Sequence, residues 1–165
     1  MNDTAVIEKP PVRLGDSEAF QSFKQGVDSL MERRRYFISQ VLPKLKENQD
    51  YYVIKGRKCL AKGGAEKLAS IYNLTASFER DNDTMGAFGD LPGLIAYVCN
   101  LSRNGIPAGQ GRGSSSLDRN GGDPNKTIKM ATKSSYIDSV IRTTGLSDIF
   151  TQDIDQSSSN EILPA

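Results

Sequence analysis

Lysine and tyrosine side chains recur at helical spacing between residues 126 and 136. Lys126, Lys129 and Lys133 are three and four residues apart, so on a helix they fall within an arc of about 60°. Tyr136 continues that face by one turn. Flexible cations suit phosphate groups, and a flat ring suits an unpaired base, on which stacking is worth roughly 1–3 kcal/mol. The spacing therefore indicates either a surface for single-stranded nucleic acid or an ordinary solvated helix face.

A second group of basic and aromatic residues lies on a predicted short hairpin. It comprises Tyr51, Tyr52, Lys55, Arg57, Lys58 and Lys62. The alternative for the two tyrosines is that one belongs to the core and the other to the surface of a strand. Arg112 and Arg119, just upstream of the lysine stripe, are further candidates for phosphate contacts.

The stretch GIPAGQGRGSSS, residues 105–116, could in principle cradle a phosphate. It lacks the lysine of the pattern G-x-x-x-x-G-K-S/T, and a helix does not follow at once. Gly109, Gly111 and Gly113 step by two, which also differs from the dinucleotide-binding pattern, so no nucleotide cofactor is predicted. Glycine at alternate positions leaves one strand face bare, which predicts the close approach of another backbone, either DNA or a neighbouring subunit.

Enzyme chemistry has few candidates in this chain. There is no histidine, which excludes Ser-His-Asp and Cys-His catalysis and histidine-ligated metals. Asp81 and Asp83 resemble the start of a calcium loop, but Pro92 stands where the bidentate glutamate belongs. These two acids leave a metal-dependent nuclease as a weak alternative. The prediction is a non-enzymatic protein without metal or cofactor.

The remaining composition is that of an ordinary intracellular domain. Cys59 and Cys99 are isolated, which argues against a disulfide framework or zinc site and favours a reducing cytoplasm. No secretion signal is predicted from the first residues, and no apolar run reaches the length needed to span a membrane. Residues 1–80 carry 14 Lys and Arg against 10 Asp and Glu, and residues 103–142 carry 7 against 3. Residues 143–165 carry four acids and no base, so two basic blocks precede an acidic end.

The apolar pattern predicts an α+β fold in which an antiparallel β-meander packs on a long helix. An amphipathic helix is expected from Ser17 to Pro43, with apolar residues from Phe20 to Leu42 at steps of three and four. A hairpin over 51–60, a short helix over 64–74 and a weak strand over 74–79 follow. Residues 81–92 are expected to be a loop. A strong strand over 94–101, an Asn104-Gly105 turn and a return strand precede a helix over 125–144, capped by Asn125 and stopped by Gly145.

This order predicts three segments along the chain. Residues 1–16 form a flexible arm, residues 17–150 a single nucleic-acid-binding domain, and residues 151–165 an acidic, disordered tail. The tail is a candidate contact for a host or phage replication or recombination protein.

Three stretches resemble a group of phage and mobile-element proteins within the single-strand annealing superfamily. They are DYYVIKGRKCLAKGGAEKLASIYNL, GIPAGQGRGSSS and NKTIKMATKSSYIDSVIRTTGLSDIFTQD, and together they span roughly residues 50–153. The resemblance implies a β-β-β-α core, a ring or filament of identical subunits, and single-stranded DNA held in a basic groove. This chain departs from the family pattern at Ser134, where an arginine is expected, and at Ser116, where a glutamate is expected.

The leading hypothesis is ATP-independent binding of single-stranded DNA and annealing of complementary strands in phage-type recombination. The alternative is a protein–protein interaction module, such as a phage accessory or inhibitor protein, that shares the fold without annealing DNA. Expected partners are single-stranded DNA and further copies of the chain, and no membrane.

Overall fold

The computed structural model describes residues 17–152. They divide between Lys44 and Leu45 into two compact units, whereas the sequence predicted one domain over 17–150. The predicted arm 1–16 lies outside the described residues, as does the predicted tail from residue 153 onward. Thr151 and Gln152, assigned to the tail from sequence, instead belong to the folded second unit, since Thr151 forms a β-bridge with Cys59.

The first unit is a helix that changes its winding before a proline. Helix α1 spans Ser17–Tyr36, a five-residue π-helix follows over Phe37–Val41, and a 3-10 turn over Leu42–Lys44 ends the unit. Pro43 has no N–H for an α-helical bond, and the backbone N–H of Leu42 bonds to the carbonyl of Phe37 in the wider π pattern. The predicted interruption near Pro43 is therefore present, and α-helical winding already ends at Tyr36.

The second unit begins with the predicted hairpin. Strands β1 (Tyr51–Ile54) and β2 (Arg57–Leu60) pair antiparallel. Lys55 and Gly56 join them with φ of 49° and 76°, which is the mirror-image turn that matches strand twist. Helix α2 follows over Lys62–Ile71.

The three-stranded meander is the centre of this unit. Strands β3 (Thr75–Arg80), β4 (Leu94–Arg103) and β5 (Ile106–Ser116) are antiparallel neighbours in that order. The predicted turn at Asn104-Gly105 is confirmed, with φ of 52° and 77°. The predicted loop over 81–92 is partly wrong, because helix α3 occupies Asn82–Ala87.

Helix α4 spans Pro124–Thr144 and packs on one face of the sheet. Its cap is Asp123, whose Oδ1 accepts from the N–H groups of Asn125 and Lys126 at 2.9 and 3.2 Å; the prediction of Asn125 as cap was wrong by two residues. Gly145 ends the helix with φ of 68°, as predicted. The α+β fold with a meander, long helix, N-terminal helix and small hairpin is confirmed.

Both thiols are free and buried. Burial raises the pKa of Cys99, although a hydrogen bond from the Ser139 hydroxyl at 3.3 Å opposes the rise. Cys99 is therefore a packing residue with a protonated thiol at neutral pH. Within residues 17–152, no helix combines the length and the apolar content needed to cross a bilayer.

Candidate nucleic-acid interface

The predicted lysine stripe lies on the first half of α4. Lys126 and Lys129 are exposed, and within residues 17–152 their ammonium groups have no hydrogen-bond or ion-pair partner. Lys133 is half-buried one turn further on. Two of the three cations are thus available to a ligand, because neither would have to break an existing ion pair.

The stripe faces away from the sheet because the opposite side of α4 carries small residues. Ala131, Ser135 and Ser139 follow one another at four-residue steps and are fully buried. They lie about half a helical turn from the lysines. Packing of this small-residue face on the sheet therefore fixes the lysines on the solvent side.

The alternate glycines of β5 are the surface on which that face packs. A Cβ atom at Gly111 would lie 2.5 Å from the Cα of Ser139, and one at Gly113 would lie 2.7 Å from the carbonyl oxygen of Ala131. At Gly109 it would lie 3.2 Å from the Cβ of Thr143. A two-residue step along a strand, about 6.8 Å, nearly matches one helical turn of about 5.4 Å, so each glycine meets successive turns of α4.

The expected close approach of another backbone is therefore present, but the backbone is α4 of the same chain. The expectation that DNA or a neighbouring subunit lies along this glycine face was wrong, because α4 already fills the space. The tight fit also explains the absence of any larger side chain at these three positions.

Arg112 lies on the opposite face of β5 and is held by an acid. Its Nη1 is 3.2 Å from Oδ2 of Asp81 and donates to the hydroxyl of Thr84 at 2.9 Å. Its backbone N–H donates to Oδ2 of Asp138 at 3.0 Å. The role predicted for Arg112 as a phosphate contact is thus weakened, because its guanidinium already has a structural partner.

Asp81 serves as the N-cap of α3. Its Oδ1 accepts from the N–H of Thr84 at 3.0 Å, and its Oδ2 accepts from the Thr84 hydroxyl at 2.7 Å. The hydroxyl bond is the main cause that lowers the pKa of Asp81; burial opposes it, and the N–H of Thr84 and the charge of Arg112 add to it. Both oxygens of a buried carboxylate are therefore engaged, which argues against the nuclease alternative.

Tyr136 lies on α4, and its ring packs against the sheet. Its ring centroid is 6.3 Å from that of Phe78 on β3, at an interplanar angle of 55°. Burial raises the pKa of Tyr136, with further contributions from Glu66 and Cys99. The ring of Tyr136 is half-buried and its partner Phe78 is exposed, so the exposed part of the Tyr136 ring is available for base stacking.

The hairpin cluster divides into residues engaged in packing or ion pairs and exposed cations. The ring of Tyr51 lies 6.1 Å from the ring of the buried Phe150, and the ammonium of Lys58 lies 5.0 Å above the Tyr51 centroid. Lys62 pairs with Glu66 at 3.3 Å. Tyr52 is half-buried, whereas Lys55 and Arg57 at the turn are exposed. Lys55 and Arg57 are accordingly the cations of this cluster that are exposed to a ligand.

Residues 150–152 join the two basic clusters, and sequence reasoning missed this link. The N–H of Thr151 donates to the carbonyl of Lys58 at 2.8 Å. The Nε2 of Gln152 donates to the carbonyl and hydroxyl oxygens of Ser134, each at 3.0 Å. The motif FTQD was the available signal. The basic hairpin and the middle of α4 are thus held on either side of one extended segment.

A cleft of about 510 Å³ opens beside this segment. It is lined by Gly56, Arg57 and Lys58 of the hairpin and by residues 147–151.

Arg119, the remaining predicted contact, lies in a 3-10 turn over Asp118–Asn120 that precedes α4. The basic residues therefore form two groups, with Arg119, Lys126 and Lys129 near the start of α4 and the hairpin linked to the middle of α4 through residues 151 and 152.

The residues that carry the family resemblance are mostly packing residues. Gly64 has no room for a Cβ, which would lie 2.9 Å from a methyl carbon of Leu60. Lys67 pairs with the fully buried Asp50 at 2.8 Å. Burial alone would raise the pKa of Asp50, but hydrogen bonds from the N–H of Lys46 and from Lys67 outweigh it and lower the pKa.

Comparison of the chain with family models, curated proteins and solved structures finds no match, so the resemblance stays a prediction.

Proposed function

We propose that this protein binds single-stranded DNA and anneals complementary strands without ATP and without catalytic chemistry, in the cytoplasm of a bacterial or phage-infected cell. The observation that carries the proposal is that Lys126 and Lys129 at the start of α4 are exposed and have no ion-pair partner among residues 17–152. Their spacing of three residues puts two cations on one side of the helix, where each can neutralise a backbone phosphate.

The second support is the link between the lysine stripe and the hairpin. Gln152 connects Ser134 to a segment that also bonds to Lys58, so Lys133 and the hairpin flank the same segment. A strand that contacts Lys126 and Lys129 would continue past Lys133 toward Arg57. This path uses phosphate contacts with little base contact, which suits a protein that leaves bases free to pair.

The test is binding and annealing of oligonucleotides by the full chain. The double variant Lys126→Glu/Lys129→Glu reverses two exposed charges of α4, and the control Lys44→Glu reverses one exposed charge in the first unit. We expect tight binding of single strands at low salt, acceleration of annealing, and a loss of affinity of at least about tenfold for the double variant alone. Absence of binding at low salt, or equal effects of both variants, would contradict the proposal.

The second candidate function is a protein–protein interaction module. Two observations favour it: the glycine face is closed by α4, and Arg112 is committed to Asp81. Each removes one candidate DNA contact. This reading predicts no affinity for oligonucleotides at low salt and a specific complex with a protein partner in pull-down from infected cells, identified and then reconstituted from purified components.

A further inference from the structure

Helix α1 carries an apolar stripe that is exposed along its whole length. Phe20, Phe23, Val27 and Leu30 are separated by three, four and three residues, which is the spacing of a coiled-coil seam. Met31 lies beside them. Leu30 is 65% exposed and Phe23 is 57% exposed. An exposed row of large apolar side chains at this spacing indicates a surface that is covered in the working protein.

The charges at the two ends of α1 indicate what covers it. Glu18 lies in the first turn, and Arg33, Arg34 and Arg35 lie in the last. A parallel pair of α1 helices would bring the arginines of both copies together at one end. An antiparallel pair instead places the C-terminal end of each helix, where the three arginines outnumber Glu32, beside the end of the partner that carries Glu18, and it also opposes the two helix dipoles.

We propose that α1 is a dimerisation helix that pairs antiparallel with α1 of a second copy of this chain. The stripe is self-complementary in that orientation, because Phe20 lies opposite the partner's Leu30 and Phe23 lies opposite the partner's Val27. The exposed parts of the five side chains amount to roughly 500 Å² per chain, so a pair covers about 1,000 Å², near the lower limit for a specific interface. This proposal does not depend on DNA binding.

The first experiment measures the molar mass of the full chain in solution by light scattering. The variant Leu30→Glu places two charges in the seam of each pair, and Gln25→Glu makes a similar change on the outward face of the same helix. We expect a dimer for the unchanged chain and for Gln25→Glu, and a dissociation constant raised at least about 100-fold for Leu30→Glu. Circular dichroism checks that all three remain folded.

The second experiment tests the orientation by disulfide formation. Two chains of different mass, one with Phe23→Cys and the other with Val27→Cys, are mixed and oxidised. The antiparallel pair predicts the mixed disulfide, whereas a parallel pair predicts each variant linked to itself. The native thiols give little background, since Cys59 and Cys99 are buried.

Three results would overturn the proposal. One is a monomeric unchanged chain at tens of micromolar. Another is self-linked Cys variants without the mixed product. The third is an unchanged mass for Leu30→Glu accompanied by lost binding to anionic phospholipid vesicles, which would make a lipid surface the occupant of the stripe.

Discussion

Because β5 packs closely on α4, we expect one methyl group added at Gly111 to destabilise the fold strongly. In Gly111→Ala the new Cβ would lie 2.5 Å from the Cα of Ser139 and 2.8 Å from the carbonyl carbon of Asp138. Both obstacles are helix backbone, so no rotation of a side chain can relieve the overlap. The sheet and α4 must separate locally, and this also disturbs the contact between Ser139 and the buried Cys99.

The magnitude follows from the kind of obstacle. Overpacking of a core by extra methyl groups costs about 1–3 kcal/mol when side chains can adjust. A clash with backbone belongs at or above the top of that range, so we expect a loss of at least about 3 kcal/mol in the free energy of unfolding. With a urea dependence of about 1.5 kcal/mol per molar, the midpoint should fall by roughly 2 M.

The assay is equilibrium unfolding in urea, with Gly86→Ala as the matched control. Gly86 lies in α3, and a Cβ there would meet no atom within 4 Å, so alanine should stabilise by about 0.5–1 kcal/mol. A third variant, Gly109→Ala, clashes with the side chain of Thr143, and Thr143→Ala should restore part of its stability. If Gly111→Ala were as stable as the unchanged protein but bound DNA more weakly, the reasoning would be refuted. The glycine face would then be a contact for DNA and not the packing surface for α4.

The remaining predictions concern buried acids. Asp50→Asn should make the free energy of unfolding less dependent on pH below about 4. Because folding lowers the pKa of Asp50 from its ordinary value of 3.8, the carboxylate contributes stability above pH 3.8 and loses it as pH falls through the lowered pKa. Urea midpoints measured across the acid range check this. Asp81→Ala should lower the free energy of unfolding by about 1–2 kcal/mol through loss of a helix cap, whereas Asp83→Ala, which alters an exposed side chain, should change it by less than about 0.5 kcal/mol. We expect no magnesium-dependent cleavage of DNA by the unchanged chain or by either variant. Cleavage by the unchanged chain that is lost in Asp81→Ala would support the nuclease alternative.

Sequence reasoning predicted the elements whose signals are local. The Asn104-Gly105 turn requires two positive φ angles, and this dipeptide adopts them at little cost. Gly145 ends α4 for a similar reason. Helix α3 was missed because its six residues, one of them a glycine, are too few to show an apolar period. The cap of α4 was misplaced because Asp123 and Asn125 are equally good caps by residue type, and Pro124 at the first helical position was the signal that separates them.

The candidate site was harder to predict because its contacts are distant in sequence. Alternate glycines indicate a close approach but not which backbone approaches. The complementary signal was in α4, where Ala131, Ser135 and Ser139 form a row of small residues. Arg112 pairs with Asp81, which lies 31 positions away in the sequence, and no sequence pattern indicates this pairing. Arg112 was therefore predicted to contact phosphate, because it lies just upstream of a basic helix. The helical period predicted that Lys126 and Lys129 share one face of α4, and both are exposed, whereas Lys133 on the same face is half-buried.

The most direct test of the central claim is the salt dependence of single-stranded DNA binding. Each phosphate contact contributes a slope of about 0.7 to the fall of log affinity with log salt concentration. The account predicts that Lys126→Gln/Lys129→Gln lowers the slope by about 1.4 relative to the unchanged chain, while Lys44→Gln leaves it unchanged. A slope that is the same in all three proteins, or no measurable binding at low salt, would contradict the claim that α4 holds the DNA backbone.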